Sequence, residues 1–232
     1  MLKRAITGSL FAATLLFCTI FSMYTLLGLY LLFVIIGSWE YLKVLKRNSK
    51  YSPNIILGII NSILVFLAIT IPPIFQINSK LFIAFSILVT FAIPLFELYK
   101  NKQYPFSNIA HTILPAIYIS IPFSLLILSN SIFLVKENLN VFIIIFYFSL
   151  WGNDTGAYLT GSIIGKHKLF ERISPNKTWE GSFGGAFFAI IVAILGGYFF
   201  APEIPIWQWA AIGLIISIFG SMGDLVESLF KR

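Results

Sequence analysis

Residues 5–39 read AITGSLFAATLLFCTIFSMYTLLGLYLLFVIIGSW, with no charged side chain among them. The run could form one long helix or two shorter ones, and that choice sets the topology of everything after it. Further uncharged runs cover Tyr51–Ser79, Gln103–Val135 and Gly181–Pro202, and each exceeds the roughly 20 residues with which a helix crosses a bilayer. The chain is 58% hydrophobic and only 11% charged, with a mean hydropathy of +0.91. A soluble domain carries roughly 25% charged residues. Membrane-spanning strands would show short alternating segments instead, so the reading is an all-α, polytopic transmembrane helical bundle.

The basic residues decide how the first run divides. Helices are expected near 5–22, 24–43, 55–72, 80–99, 107–129, 139–163, 178–200 and 206–230, about eight in all, with Pro72-Pro73, Pro105 and Pro202/Pro205 punctuating the connections. Cytoplasmic loops collect Lys and Arg. With two helices before residue 43, every one of the 16 basic residues except Lys80 and Lys136 falls on one side. Merging the first two helices would strand Lys3 and Arg4 on the opposite face. Both termini are therefore expected in the cytoplasm. The net charge of +7 then lies mainly on one membrane face, which suits contact with anionic headgroups or phosphates and gives no reason to invoke nucleic acid.

The single Cys18 excludes an internal disulfide and a CxxC metal site. Lys3-Arg4 before an apolar stretch imitates a signal peptide, but no small-x-small cleavage site follows and further helices do. Leu15-Leu16-Phe17-Cys18 faintly imitates a lipoprotein attachment site, with a bulky Phe17 where a small residue is usual.

Up to about residue 135 little chemistry is visible. Glu40 and Glu97, near Lys43 and Lys100, are expected to pair at helix ends, where charges can reach water. His111, without an obvious partner, reads as a satisfied structural residue. The C-terminal part differs. Leu150-Trp151-Gly152-Asn153-Asp154-Thr155-Gly156-Ala157-Tyr158 places Asp154 well inside an apolar segment. A carboxylate there is expensive, so a functional role is the default, with a structural pair to a lysine as the alternative. Gly152, Gly156, Gly161 and Gly165 have the spacing that lets helices approach closely.

The loop that follows is not a Walker A motif, since Thr160 and His167 stand where glycine and Ser/Thr are required. Ser174-Pro175 reads as a helix start, Ser174 as N-cap and Pro175 at the first position. Lys177 would then lie in the first turn, which suits a phosphate facing both; a lysine reaching for lipid headgroups is the plainer account. His167, in the same basic loop, is a weaker phosphate candidate. In the last helix Asp224, Glu227, Ser228 and Lys231 share one face, with Ser217 and Ser221 extending the stripe. Such a stripe must line water, a partner or a site. Asp154 and Asp224 are the only aspartates, and hard cations such as Mg²⁺ use one or two carboxylates together with substrate phosphates.

Four segments in order, Asn153–Tyr158, Gly165–Leu169, Ile173–Gly181 and Gly223–Arg232, resemble the phosphatidate cytidylyltransferase (CDP-diacylglycerol synthase) family, with weaker agreement at Trp39-Glu40. The resemblance implies transfer of CMP from CTP to phosphatidate, giving CDP-diacylglycerol and pyrophosphate in phospholipid biosynthesis. It implies Asp224, Lys177 and Asp154 as catalytic residues, with Asp224 holding Mg²⁺. Asn153, Lys166, Ser174, Thr178, Glu227, Ser228, Lys231 and Arg232 become substrate-binding residues. CTP, phosphatidate and membrane lipids are the implied partners, a homodimer is one assembly to consider, and the setting is a multi-pass protein of a bacterial inner membrane with its site facing the cytoplasm. Ser162 stands where family members often have a basic residue and receives no phosphate role. The family signature continues beyond the residues that match Ser228–Arg232, so the chain is expected to be one membrane domain over 1–232 whose catalytic half, 136–232, is incomplete and inactive alone. The alternatives are an ion-coupled transporter, which should show an inverted repeat with broken helices, and another CTP-dependent lipid enzyme such as a polyprenol or phytol kinase or an archaeal-type lipid cytidylyltransferase. A cysteine placed at Ser49 or Asn101 is expected to be labelled from the cytoplasm; labelling of either from the far face overturns the topology.

Overall fold

The computed structural model describes residues 2–47, 50–100, 103–132 and 140–230. Ser49, Asn101, Lys231 and Arg232 lie outside them. The chain divides into two compact units, Met1–Leu134 and Val135–Arg232.

In the first unit, α1 (Leu2–Phe21) and α2 (Met23–Arg47) meet at Ser22. The Thr25 hydroxyl closes the corner, 2.8 Å from the Cys18 carbonyl oxygen and 2.7 Å from that of Ser22. Phe11 and Phe33 stack with ring centroids 5.8 Å apart, whereas on one straight helix they would be about 33 Å apart. The uncharged run is thus a hairpin of two helices. α2 buries Leu26, Tyr30, Val34, Ser38 and Leu42, one residue per turn.

α3 (Ile55–Phe75) starts at Asn54, whose side chain accepts the Leu57 N–H at 3.2 Å. It does not stop at Pro72, as expected from the sequence. It continues through Pro72-Pro73 and closes on Gln76, whose φ of 53° lies in the left-handed region. Membrane helices tolerate such prolines. α4 (Lys80–Leu98) is followed by α5 (Pro105–Pro115), a π turn (Ala116–Ser120) and α6 (Ile121–Ile132). One helix was expected there. The π turn follows directly on Pro115, whose missing N–H leaves an unpaired position in the ladder.

Buried Glu97 accepts from Asn108 Nδ2 at 2.6 Å and lies 3.7 Å from Lys100 Nζ, so the expected pairing is present. Among the described residues Glu40 makes no such pair; Lys43 Nζ sits 4.1 Å from the Trp39 ring centroid instead. His111 Nδ1 lies 3.2 Å from the Tyr41 hydroxyl, which fits its structural reading.

The second unit contains α7 (Val141–Ile164), the antiparallel hairpin β1 (Lys168–Phe170) and β2 (Ser174–Thr178), α8 (Trp179–Phe200) and α9 (Ile206–Phe230). The buried positions of α8 are Gly181, Gly185, Ala189, Ala193 and Gly197, small residues at every fourth place. Against them α7 comes close enough that a Cβ on Gly181 would stand 2.8 Å from the Ala157 carbonyl oxygen, and one on Gly185 2.7 Å from that of Asn153. A Cβ on Gly213 of α9 would be 2.7 Å from Ile190 Cα, and fully buried Trp209 packs on Gly197. α8 therefore runs antiparallel to both neighbours. Close approach of this kind replaces the hydrophobic drive that lipid cannot supply.

Among the described residues, six helical runs are long and apolar enough to cross a membrane: Met23–Arg47, Ile55–Phe75, Lys80–Leu98, Pro105–Ser129, Trp179–Phe200 and Ile206–Leu229. The protein is a multi-pass helical membrane protein. The apolar part of α1, Ile6–Phe21, is shorter than these. α7 has 24 residues but carries Asn153-Asp154-Thr155-Gly156 near its middle and does not join the six.

Gly185→Leu must push α7 away from α8 and should lower the thermal stability of the detergent-solubilised protein by roughly 1–3 kcal/mol. Gly8→Leu, with nothing within 4 Å of the added Cβ, should leave it unchanged. Equal stabilities would refute the close contact.

Candidate active site

The hairpin between α7 and α8 fixes the site. Lys168 pairs with Thr178 and Phe170 with Ser174, and the Trp179 N–H donates to the His167 carbonyl at 2.9 Å. Ser174-Pro175 is consequently extended and does not start a helix. Pairing with β1 holds residues 174–178 in the strand, and Thr178 is the cap. Its backbone is extended (φ −125°, ψ 154°) and its hydroxyl accepts the Gly181 N–H at 3.1 Å, with Glu180 in the first turn. Lys177 therefore precedes the cap, in β2, and does not lie in the first turn of a helix.

Lys177 reaches across to α9. Its Nζ lies 3.0 Å from Asp224 Oδ2 and donates to the Ser221 carbonyl at 3.4 Å. The two side chains are 27% and 54% exposed. Asp154 is exposed as well, so neither aspartate is buried, contrary to expectation. Both open into one cavity of about 470 Å³. Asn153, Asp154, Ala157 and Tyr158 of α7 line one side, Ser174, Asn176, Lys177 and Thr178 of β2 another, and Gly181 and Ser182 of α8 with Ser221 and Asp224 of α9 complete it. Asn153 is 2% exposed; its Nδ2 donates to Asp154 Oδ1 at 3.4 Å, and its Oδ1 has no partner among the described residues.

Of the residues singled out from sequence, Asn153, Asp154, Ser174, Lys177, Thr178 and Asp224 thus share one cavity. Lys166 does not. It borders a separate concavity with His167, Lys168, Glu171, Trp179, Glu180 and Phe183. Glu227 and Ser228 continue along α9 past Asp224 without lining the cavity. Sequence reasoning missed Ser182, Asn176 and the Ser221 carbonyl, and also the part played by Glu180. The Glu180 carboxylate accepts the N–H groups of Lys166 (3.2 Å) and His167 (3.2 Å) and lies 2.6 Å from His167 Nδ1. An acidic residue two places after a threonine cap was the available signal.

Comparison with known proteins shows the family. The model of the family described as "Cytidylyltransferase family" matches residues 2–232. The chain belongs to the cytidylyltransferase family. Among relatives of this cytidylyltransferase-family chain, "Phosphatidate cytidylyltransferase" of Staphylococcus aureus (strain COL) is 37% identical over 146 residues, which is 63% of this chain and 54% of the relative. Proteins of the same name from Staphylococcus haemolyticus (strain JCSC1435) and Staphylococcus epidermidis (strain ATCC 12228 / FDA PCI 1200) are 36% and 35% identical over the same shares. The match spans about half the length of these relatives.

The cavity's donors suit a hard cation. They include the carboxylate oxygens of two aspartates, beside the Lys177 ammonium. No group of three or more His, Cys, Asp or Glu is assembled among the described residues, so phosphate oxygens would have to complete such a coordination shell.

Thr178→Ala removes the acceptor for the Gly181 N–H and should cost about 1 kcal/mol of stability, with Thr178→Ser retaining it. Thermal unfolding of both variants checks the cap, and identical losses would refute it.

Proposed function

We propose that the protein is a phosphatidate cytidylyltransferase, transferring CMP from CTP to phosphatidate to give CDP-diacylglycerol and pyrophosphate. The observation that carries this reading is the convergence of Asp154, Lys177 and Asp224, from three separate elements, on one water-accessible cavity. Membership of the cytidylyltransferase family and the names of its relatives supply the nucleotide and the lipid.

A phosphatidate oxygen attacks the α-phosphorus of CTP in line, the α–β phosphoanhydride bond breaks, and pyrophosphate leaves with the electron pair. This chemistry asks for positioning and charge neutralisation more than for covalent help. Lys177 places a cation against the phosphates from a strand that the hairpin holds rigid. Asn153 and Ser174 offer neutral donors to phosphate oxygens, while Thr178 fixes the start of α8 and so the floor of the cavity. Asp224 positions Lys177 when no nucleotide is bound. Asp154 and Asp224 would hold Mg²⁺, which when bound neutralises triphosphate charge. Lys166, Lys168, Arg172 and Lys177 all lie in or beside the hairpin, which supports a cytoplasmic mouth under the positive-inside rule and access for a cytosolic nucleotide. Phosphatidate arrives laterally from the bilayer.

In the protein expressed from its own gene, Lys177→Met should lower kcat/KM for CTP by on the order of 10²–10³ without altering membrane insertion. Asp224→Asn keeps size but removes the charge, and should nearly abolish CDP-diacylglycerol formation, with at most partial rescue by raised Mg²⁺. Conversion of labelled CTP into CDP-diacylglycerol by membranes measures both. Near-normal turnover by well-inserted Asp224→Asn protein overturns the assignment.

A further inference from the structure

The hairpin that carries Lys177 is short. β1 and β2 have three and five residues, and two residue pairs register them, Lys168 with Thr178 and Phe170 with Ser174, with an irregularity between. A two-stranded hairpin is by itself marginally stable in water. A slip of one residue along it turns every side chain of the strand to the opposite face. Lys177, next to the paired Thr178, would then turn away from Asp224.

The contacts that oppose such a slip lie at the open end of the hairpin, where the chain leaves α7 and enters α8. Glu180, in the first turn of α8, accepts the N–H groups of Lys166 and His167, each at 3.2 Å, and lies 2.6 Å from His167 Nδ1. The Trp179 N–H makes a reverse tie to the His167 carbonyl at 2.9 Å. Just before them, Gly165 passes so near Thr178 that a Cβ on it would stand 2.8 Å from the threonine hydroxyl oxygen. Residues 165–167 are thus held to 178–180 by contacts that are lost together if one strand moves along the other. Hydrogen bonds to an ionised acceptor are roughly twice as strong as neutral ones, which makes the carboxylate the chief member of the set. Glu180 itself stands on a turn that is fixed, because the next residue, Gly181, is packed against the Ala157 carbonyl of α7.

We infer that Glu180 is a positioning residue for the nucleotide site: it anchors the entry to β1 on the start of α8 and so sets the register that turns Lys177 toward Asp224 and the phosphates. Glu180 does not line the cavity of Asp154, Lys177 and Asp224; it acts through Lys177. This inference rests on the proposed use of CTP, and the test separates the two.

Amide hydrogen exchange of the detergent-solubilised protein, expressed from its own gene, reads the anchor without turnover. Glu180→Ala should speed exchange at Lys166, His167 and residues 174–178 by roughly tenfold, with the rest of α7 and α8 exchanging as in the wild type. In the same variant kcat/KM for CTP should fall by on the order of 10²-fold, chiefly through a raised KM for CTP and with KM for phosphatidate unchanged. A variant that merely folds less well would lose kcat and keep both KM values. Glu180→Gln, which retains one acceptor oxygen, should recover part of the loss. In Lys177→Met protein, adding Glu180→Ala should change kcat/KM by less than about twofold, since the residue it positions is already gone. Unaltered exchange at Lys166 and His167 in Glu180→Ala protein would overturn the inference. So would an unchanged KM for CTP, or a loss that multiplies undiminished onto that of Lys177→Met. A wild type that forms no CDP-diacylglycerol would strike the assigned activity, and the exchange reading would still decide whether Glu180 holds the register.

Discussion

The second unit depends on how closely α7 and α8 approach. Gly181 and Gly185 leave no room for a side chain where the carbonyl groups of Ala157 and Asn153 pass, and this contact fixes the antiparallel register of the two helices. Register in turn decides what faces what. With Gly185 opposite Asn153, the start of α8 and the strand before it are brought over the polar middle of α7, and Asp154 opens toward Lys177 and not into lipid. In a bilayer the helices gain little from burying apolar surface against each other, so the geometry rests on backbone proximity and on polar groups finding partners. The Thr160 hydroxyl does this across the contact, donating to the Gly181 carbonyl at 3.4 Å, while those of Thr178 and Ser182 bond locally at the start of α8.

The Lys177–Asp224 pair works on a different scale. At the observed exposure such a pair contributes about 0–1 kcal/mol to stability, too little to hold α9 in place. Trp209 against Gly197 and Gly213 against Ile190 already do that. What the pair determines is direction. It draws a lysine from a short strand toward a carboxylate on α9, and keeps its ammonium group near the position a phosphate would take. Because the interaction is weak and wet, an anion can compete for the lysine and a cation for the carboxylate without unfolding anything.

Much of this was legible in the sequence. The charge partition alone divided residues 5–39 into two helices, and the Phe11–Phe33 contact agrees. Asn153, Asp154, Ser174, Lys177, Thr178 and Asp224 were each singled out, and they share a cavity. What sequence could not convey was the local choice at Ser174-Pro175. Ser-Pro is a good helix start in isolation, but here its strand is paired with residues 168–170, a tertiary contact that propensity does not contain. Lys166 stands apart from that cavity for a related reason: the loop before β1 carries it to a separate concavity with His167 and Glu180. Prolines misled in the opposite sense. Pro72-Pro73 reads as a boundary but lies within a helical run, because a membrane helix has few alternatives to remaining helical.

The expense of a carboxylate in a membrane was the reason to notice Asp154, and the structure changes what that expense means. Asp154 lies ten residues before the end of α7, about 15 Å along the helix axis, yet it is exposed to a cavity that begins at the hairpin. The cavity lessens the desolvation cost by exposing the carboxylate on one side of α7. This accounts for why α7, long enough to span, is not apolar enough to be counted with the other spans: one of its faces is the wall of an aqueous cavity. It also explains the asymmetry between its two polar neighbours. Asn153 points into the contact with Gly185 and is buried, so it must be neutral; Asp154, one residue on, faces the cavity and can carry charge. A site of the proposed kind, for a triphosphate and a membrane lipid, would require such a boundary between an aqueous face and a lipid face of one helix.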